Sequence, residues 1–450
     1  SLWFYAYANL QYLWLLLFSC LIGWLLSCLP EKIFSEKGKK VLTGVGCVFH
    51  LGLLGYFKYS NFFLENLNTV FHTDFPMLQI LLPVGISFYT FQQLAYLIDR
   101  CRGDAPRDSF FDYLTFMVYF PQLLQGPILL RSEFMGQLKE PERRRFHAER
   151  FSEGIQFFVF GLAKKVLLAD TLAKAVNYGY SNVSMLDSIS ALLLAVGYLT
   201  ELYFDFSGYC DMAVGLGKMI GLEVAENFDA PFHSASVKEF WRRWHMTLGR
   251  FFTRYVYIPL GGNRRGKMRT LCNVMIVMLL SGLWHGAAWT FVLWGFLHGV
   301  GMIWDNLEHP HLPKKWMRQA ATFAYVCMTF VFFRAESIAQ GVDVLKSIVS
   351  MKWNGFVFQM ASALDMTECY IITKALSMKL PGLLSWFWLG IFVVLIAICF
   401  RVLSGEKVSG VVALQRQKGY GRLYPVLLAV LFTWSMISMT GVSEYLYFSF

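Results

Sequence analysis

Two histidines, His285 and His298, lie inside one uncharged apolar run, and a third, His245, stands upstream in Trp241-Arg242-Arg243-Trp244-His245. A neutral imidazole near its ordinary pKa can take a proton from a hydroxyl or thiol at neutral pH, which is what acyl transfer asks of a general base. Thr270 to Trp304 contains no Asp, Glu, Lys or Arg. A polar group in such a run costs free energy unless it finds a partner, lines a wet cavity or does chemistry. As one helix the run would extend roughly 52 Å, against a hydrocarbon core of about 30 Å. It must fold back, tilt or break, and the small residues Gly282, Gly286 and Ala287 put the break beside His285. Non-helical backbone at that depth is tolerated only inside protein or around a water-filled cavity. His285 is therefore the leading candidate, although a lone histidine in an apolar helix is more often a packing residue.

His245 is the second candidate. Its segment, Glu226 to Arg269, is too charged to span a membrane and too aromatic for a plain linker, which suits a helix lying at the interface. There Arg242, Arg243, Arg250 and Arg254 would form a basic rim around a cytosol-facing His245, able to receive an anionic donor such as a nucleotide-bearing thioester. The plainer reading of His245 is a headgroup-facing anchor. His298 follows His285 by thirteen residues, which in a continuous helix means about 220° of rotation and about 20 Å of separation, so a structural role is expected. The same arithmetic puts Asn273 about 18 Å from His285, a lining residue at most. Glu201 and Asp205 share a helix face, and structural ion pairs with the Arg-rich interfacial segment are the favoured reading. Asp99-Arg100 reads as a pair at a span end.

These residues need elements to hold them, and the composition says which. The chain is 56% hydrophobic and only 16% charged, against roughly 25% charged for a soluble domain. Uncharged runs at Tyr12–Leu29, Met77–Ile98, Tyr113–Leu130, Leu380–Phe400 and Leu423–Val442 are long enough to cross a bilayer. Shorter or interrupted runs lie at Val41–Phe57, Ile155–Leu168, Ser188–Phe206 and Gln319–Phe333. The fold class expected is all-α and polytopic, with about ten or eleven transmembrane helices and interfacial or re-entrant helices. The net charge of +10 sits in short basic loops between apolar runs, which places those loops in the cytoplasm and argues against nucleic-acid binding. Nine scattered cysteines contain no CxxC pair, so neither a disulfide framework nor a metal site is expected. One membrane domain, 1–450, is predicted: N-terminal spans (1–130), a polar loop (131–151), a motif-bearing core (152–334) and C-terminal spans (335–450), with the loop Ala335–Lys379 partly helical. Glycines at 208, 215, 217 and 221 predict close helix packing. The N-terminus shows no secretory-signal pattern, and a preceding segment is expected.

Five motifs occur in one order: Tyr203-Phe204-Asp205-Phe206-Ser207-Gly208-Tyr209-Cys210-Asp211-Met212, Glu226-Asn227-Phe228, Glu239-Phe240-Trp241-Arg242-Arg243-Trp244-His245, Tyr257-Ile258-Pro259-Leu260-Gly261-Gly262-Asn263 and Gly282-Leu283-Trp284-His285-Gly286. Together with Phe333-Arg334-Ala335, they resemble the membrane-bound O-acyltransferases, in particular the bacterial branch of alginate and peptidoglycan O-acetyltransferase membrane subunits and the teichoic acid D-alanyl transfer protein. The resemblance covers nearly the whole chain, and by comparison the N-terminus lacks a first span. It implies a ring of helices around a central, thinned tunnel. His285 then corresponds to the family's catalytic histidine and His245 to a second one, with Trp241, Arg242, Arg243, Trp244, Arg250, Arg254, Trp284 and Asn273 lining the donor path. It further implies acetyl-CoA as the donor substrate, no bound cofactor or metal, and a polysaccharide acceptor reached with an extracytoplasmic esterase-like partner. Membrane lipids surround the chain, and the location implied is the bacterial inner membrane. D-alanyl transfer to teichoic acid from a carrier-protein thioester stays open. A transporter or flippase is the alternative from another class, although no repeated halves are visible.

Overall fold

Long apolar stretches without two-residue alternation fold as helices, and the computed structural model of the chain contains no strand among the described residues. The structure describes all residues except 9, 30–34, 124, 308–312, 404–406, 420 and 440–450. The helices that matter here are α1 (Leu10–Cys28), α2 (Glu36–Leu54) and α3 (Ser60–Phe71), the last two joined by a π-helical turn, Gly55–Tyr59. They are followed by α4 (Ile86–Arg102), α5 (Ala148–Ala163), α6 (Asp170–Ser181) and the long α7 (Ser188–Met219). Two short helices, α8 (Val237–Arg243) and α9 (Met246–Phe252), precede α10 (Lys267–His285) and α11 (Trp289–Asn306). The C-terminal third supplies α12 (Lys315–Arg334), α13 (Pro381–Leu403) and α14 (Leu423–Ser438).

By length and composition, five helical stretches among the described residues can cross a membrane: Leu10–Cys28, Glu36–Phe71, Ser188–Met219, Lys267–His285 and Pro381–Val402. This is fewer than the ten or eleven segments expected, because several uncharged runs are not single helices. Tyr113–Leu130 divides into two short helices, Phe110–Met117 and Phe120–Leu123, and a non-helical stretch from Gln125 to Leu130. Pro121 and Gly126 stand where it breaks. Met77–Ile98 becomes helical only at Ile86, after Pro83 and a left-handed Gly85 (φ 74°). The run Leu423–Val442 is helical to Ser438, and 440–442 lie outside the described residues. The loop 335–379 is partly helical as expected, carrying Ile338–Val349, Phe356–Ser362 and Tyr370–Lys379.

The central packing is α5 against α7. Gly154 and Gly161 of α5 face Gly215 and Gly208 of α7, both pairs seven residues apart. A Cβ on Gly161 would lie 2.5 Å from the Gly208 carbonyl oxygen, and one on Gly208 would lie 2.7 Å from that of Gly161. Side chains are therefore excluded from this seam, and the backbones approach directly.

That approach also decides the ion pairs. Lys164 and Lys165, just beyond α5, reach Asp211 and Asp205 of α7 at 2.6 Å each, and Lys165 also holds Asp170 at 2.6 Å. The expected pairing of the α7 carboxylates with the Arg-rich segment is therefore replaced by pairing with adjacent lysines. Neither carboxylate oxygen of the buried Glu201 has a hydrogen-bond partner among the described residues. Asp99 likewise pairs with Arg254 at 3.0 Å and accepts from Tyr255 Oη at 2.9 Å, while its neighbour Arg100 donates to the Ala105 carbonyl.

Lys165→Met would leave Asp205 as an uncompensated buried charge. A loss of about 3–5 kcal/mol is expected, read as a lower thermal midpoint in detergent. Lys165→Met combined with Asp205→Leu should recover most of it, and equal midpoints for the single and double variants would show that the pair does not hold α5 to α7.

Candidate active site at the broken span

The uncharged run breaks where expected. Helix α10 ends at His285, Gly286 (φ −158°, ψ 152°) and Ala288 (φ −148°, ψ 154°) are extended, and α11 starts at Trp289 and packs back along α10. Small residues make the fold-back possible. A Cβ on Gly295 would lie 2.5 Å from the Met278 carbonyl oxygen, and Cβ atoms on Gly282 and Gly286 would strike the carbonyl and the ring of Phe291.

A helix ending in an apolar interior leaves its last carbonyls without intrahelical donors. Here the π-helical turn between α2 and α3 supplies them. Tyr59 Oη donates to the Leu283 carbonyl (2.6 Å), and Lys58 Nζ donates to those of Trp284 (2.7 Å) and His285 (2.9 Å). The ammonium also sits at the negative end of the α10 dipole. Neither residue was picked out from the sequence. The available signal was Lys58 itself, the cation that terminates the apolar run Val41–Phe57.

His285 is 4% exposed, and its ring lies against Trp284 (5.0 Å between centroids), Trp294 (5.1 Å) and Phe333 (5.1 Å). The His245 ring centroid is 6.3 Å away, so the two histidines singled out in the sequence do meet. His245 does not face the cytosol as expected: it is fully buried. Its backbone is left-handed (φ 45°, ψ 51°), a conformation that costs a non-glycine residue energy and persists only when the surroundings impose it. Asn227 is what imposes it here. Its Oδ1 lies 3.2 Å from His245 Nδ1 and accepts from the Thr247 backbone N–H (3.1 Å) and hydroxyl (2.9 Å), while its carbonyl accepts from Met246 N–H (3.0 Å). His245 Nε2 has no hydrogen-bond partner among the described residues. Burial pushes its imidazole down to about 3, so it is neutral at pH 7.

His298 is closer to the site than the continuous-helix arithmetic allowed. Because the chain folds back, His285 and His298 both pack on Trp294, at 5.1 and 4.8 Å. It is nevertheless fully engaged: Trp241 Nε1 donates to its Nδ1 (3.2 Å), and its Nε2 meets the Thr329 hydroxyl (2.9 Å), which itself donates to the Val326 carbonyl.

The other expected lining residues divide. Trp284 packs on both site histidines, and Trp241 stands one layer behind, against Trp294. Trp244 is buried among Phe228, Phe240 and Phe330 as a core residue. Three arginines of the basic rim are held by carboxylates: Arg243 by Glu239 (2.9 Å), Arg250 by Glu133 (3.0 Å through Nη2) and Arg254 by Asp99 and Asp104. Arg242 is exposed and makes no ion pair among the described residues. Asn273 is fully buried about three turns below the break, where its Nδ2 donates to the Gly262 carbonyl (2.9 Å); it fastens the Gly261-Gly262 turn and lies away from His285. A separate cavity of about 800 Å³ opens between α5, α7 and the C-terminal helices, lined by Phe157, Tyr203, Asn227, Leu395, Ile398 and Trp434. Asn227 is among its lining residues and His285 is not.

Lys58→Met would orphan two helix-end carbonyls at a cost of about 1–3 kcal/mol each. A lower thermal midpoint is expected, together with faster amide exchange at Gly286–Ala288. Unchanged exchange there would show that the cap does not hold the break.

Comparison with known proteins gives the family. Residues 105–340 match the MBOAT, membrane-bound O-acyltransferase family. The chain is 36% identical to a peptidoglycan O-acetyltransferase of Helicobacter pylori, across 78% of this chain and 72% of that one. It is 41% identical to a probable alginate O-acetylase of Pseudomonas putida (66% and 62%), and 28% identical to a teichoic acid D-alanyltransferase of Streptococcus thermophilus (53% and 58%). The chain thus spans a little under two thirds of the second relative and somewhat less of the third. On the family match and the peptidoglycan relative, the chain belongs to the membrane-bound O-acyltransferase family and is a membrane acyltransferase.

Proposed function

We propose that the protein moves an acetyl group from cytosolic acetyl-CoA across the bacterial inner membrane for O-acetylation of an extracytoplasmic polysaccharide. The observation that carries this reading is the meeting of two buried histidines, 6.3 Å apart, at a break inside a membrane-spanning run. The acetyl choice is supported by the relatives: O-acetylating ones reach 36% and 41% identity, and the D-alanyl one 28%.

In the proposed reaction the donor thioester approaches past Arg242, the rim cation not engaged by a carboxylate, and its carbonyl carbon comes to the break. An acceptor hydroxyl attacks that carbon while the His285 imidazole takes the hydroxyl proton. The new C–O bond forms, the C–S bond breaks, and the thiolate recovers a proton from the imidazolium. Burial excludes water that would otherwise hydrolyse the thioester. Acetyl-CoA is substrate in this scheme, and an esterase-like partner outside the membrane completes delivery to the glycan.

The test is incubation of membranes with acetyl-labelled CoA, following label on glycan or partner. His285→Ala should lose about 10²–10⁴-fold in rate, the usual contribution of a general base, with its thermal midpoint close to the parent. A folded His285→Ala protein that still transfers label sinks the assignment. Movement of an intact solute with no label transferred would favour the transporter alternative.

A further inference from the structure

The Asn227 side chain is not a generic core contact, because its hydrogen bonds can be oriented. One side-chain atom of Asn227 lies 3.1 Å from the backbone nitrogen of Thr247, which can only donate, so that atom is the carbonyl Oδ1. The Thr247 hydroxyl receives the Ile128 N–H at 3.0 Å and lies 2.9 Å from the same oxygen, to which it donates its own proton. Oδ1 therefore has no hydrogen to offer His245 Nδ1, 3.2 Å away. That contact is a hydrogen bond only if Nδ1 carries the proton. A neutral imidazole has one N–H, so the lone pair is then on Nε2, the buried atom with no hydrogen-bond partner among the described residues.

We infer that Asn227 is a positioning residue for acyl transfer: it holds His245 as the Nδ1–H tautomer and so makes Nε2 the basic nitrogen presented to the site. The role rests on the reading of His245 as part of the transfer site. Three features brace Asn227 for it. Its backbone carbonyl holds Met246 N–H, its Nδ2 faces Cys210 Sγ of α7 at 3.5 Å, and Thr247 ties it to the non-helical segment at Ile128. The left-handed backbone at His245 turns the ring back onto this bracket. His298 shows the opposite arrangement. Trp241 donates to its Nδ1 and Thr329 is left to accept from Nε2, so no lone pair of that ring is available.

The inference is tested on the full-length protein in detergent, labelled with ¹⁵N-histidine. Long-range ¹⁵N–¹H correlation distinguishes the two tautomers, and His245→Gln identifies the signal by its loss. The parent protein should show Nδ1–H at His245. Asn227→Leu should shift it toward Nε2–H and lower kcat for acetyl transfer by roughly 10²-fold or more, the scale seen when a catalytic imidazole loses its orienting partner, with KM for acetyl-CoA little changed. Asn227→Asp, which keeps an acceptor oxygen, should retain the Nδ1–H signal and most of kcat, and it carries the test if the leucine variant does not fold. An Nε2–H signal in the parent overturns the inference whatever the activity. Full kcat in a folded Asn227→Leu protein overturns it as well. The reading of His245 as part of the transfer site fails separately, if His245→Gln transfers acetyl at the parental rate while the parent's Nδ1–H signal is present.

Discussion

A helix that ends inside an apolar interior must have its terminal carbonyls satisfied, and the architecture around His285 follows from how that is done. Helix α10 stops at His285 because α11 folds back through Gly286 and Ala288, and the stop is affordable because Tyr59 and Lys58 reach its last three carbonyls. The π-helical turn Gly55–Tyr59 is what aims both side chains at one helix end. An unsatisfied carbonyl in this setting costs about 1–3 kcal/mol. The cap, the break and the histidine therefore form one unit, with the imidazole delivered where the backbone is already non-helical.

The second histidine is held by different means. His245 sits between two short helices in a strained conformation, and Asn227 collects the donors around it. One histidine thus depends on a span that breaks, and the other on a loop that is braced. Trp284 and Phe206 close over the space between these supports, with the His245 ring 4.7 Å from Phe206 and 6.0 Å from Trp284. The glycine seam between α5 and α7 matters here because α7 carries Phe206 and Cys210, two of the contacts that press on this bracket.

Several charges in the interior, though not Glu201, are paired with whatever the backbone packing brings near, which was only partly foreseeable. The carboxylates of α7 meet lysines that follow α5, and the arginines of the rim are taken up by Glu133, Glu239, Asp99 and Asp104. Removing one member of such a pair exposes the other to the full cost of burial. The basic character read along the segment therefore overstates the positive field available to a donor, and Arg242 is the rim cation left exposed.

The sequence by itself determined the class of the protein and the break at His285, and it singled out the two histidines that the fold brings together. Those conclusions rest on quantities local to the chain: hydropathy over a window, the length of a helix against a bilayer, and ordered motifs. The family resemblance was legible for the same reason. The continuous-helix arithmetic failed for His298, because the extended residues Gly286 and Ala288 reverse the direction that it extrapolates. The Lys58 cap, the Asn227 bracket and the lysine partners of Asp205 and Asp211 were decided only by the tertiary structure. Each joins residues far apart in the chain, and a hydrogen bond or ion pair forms where packing brings donor and acceptor within about 3 Å, a condition that spacing along the sequence does not contain.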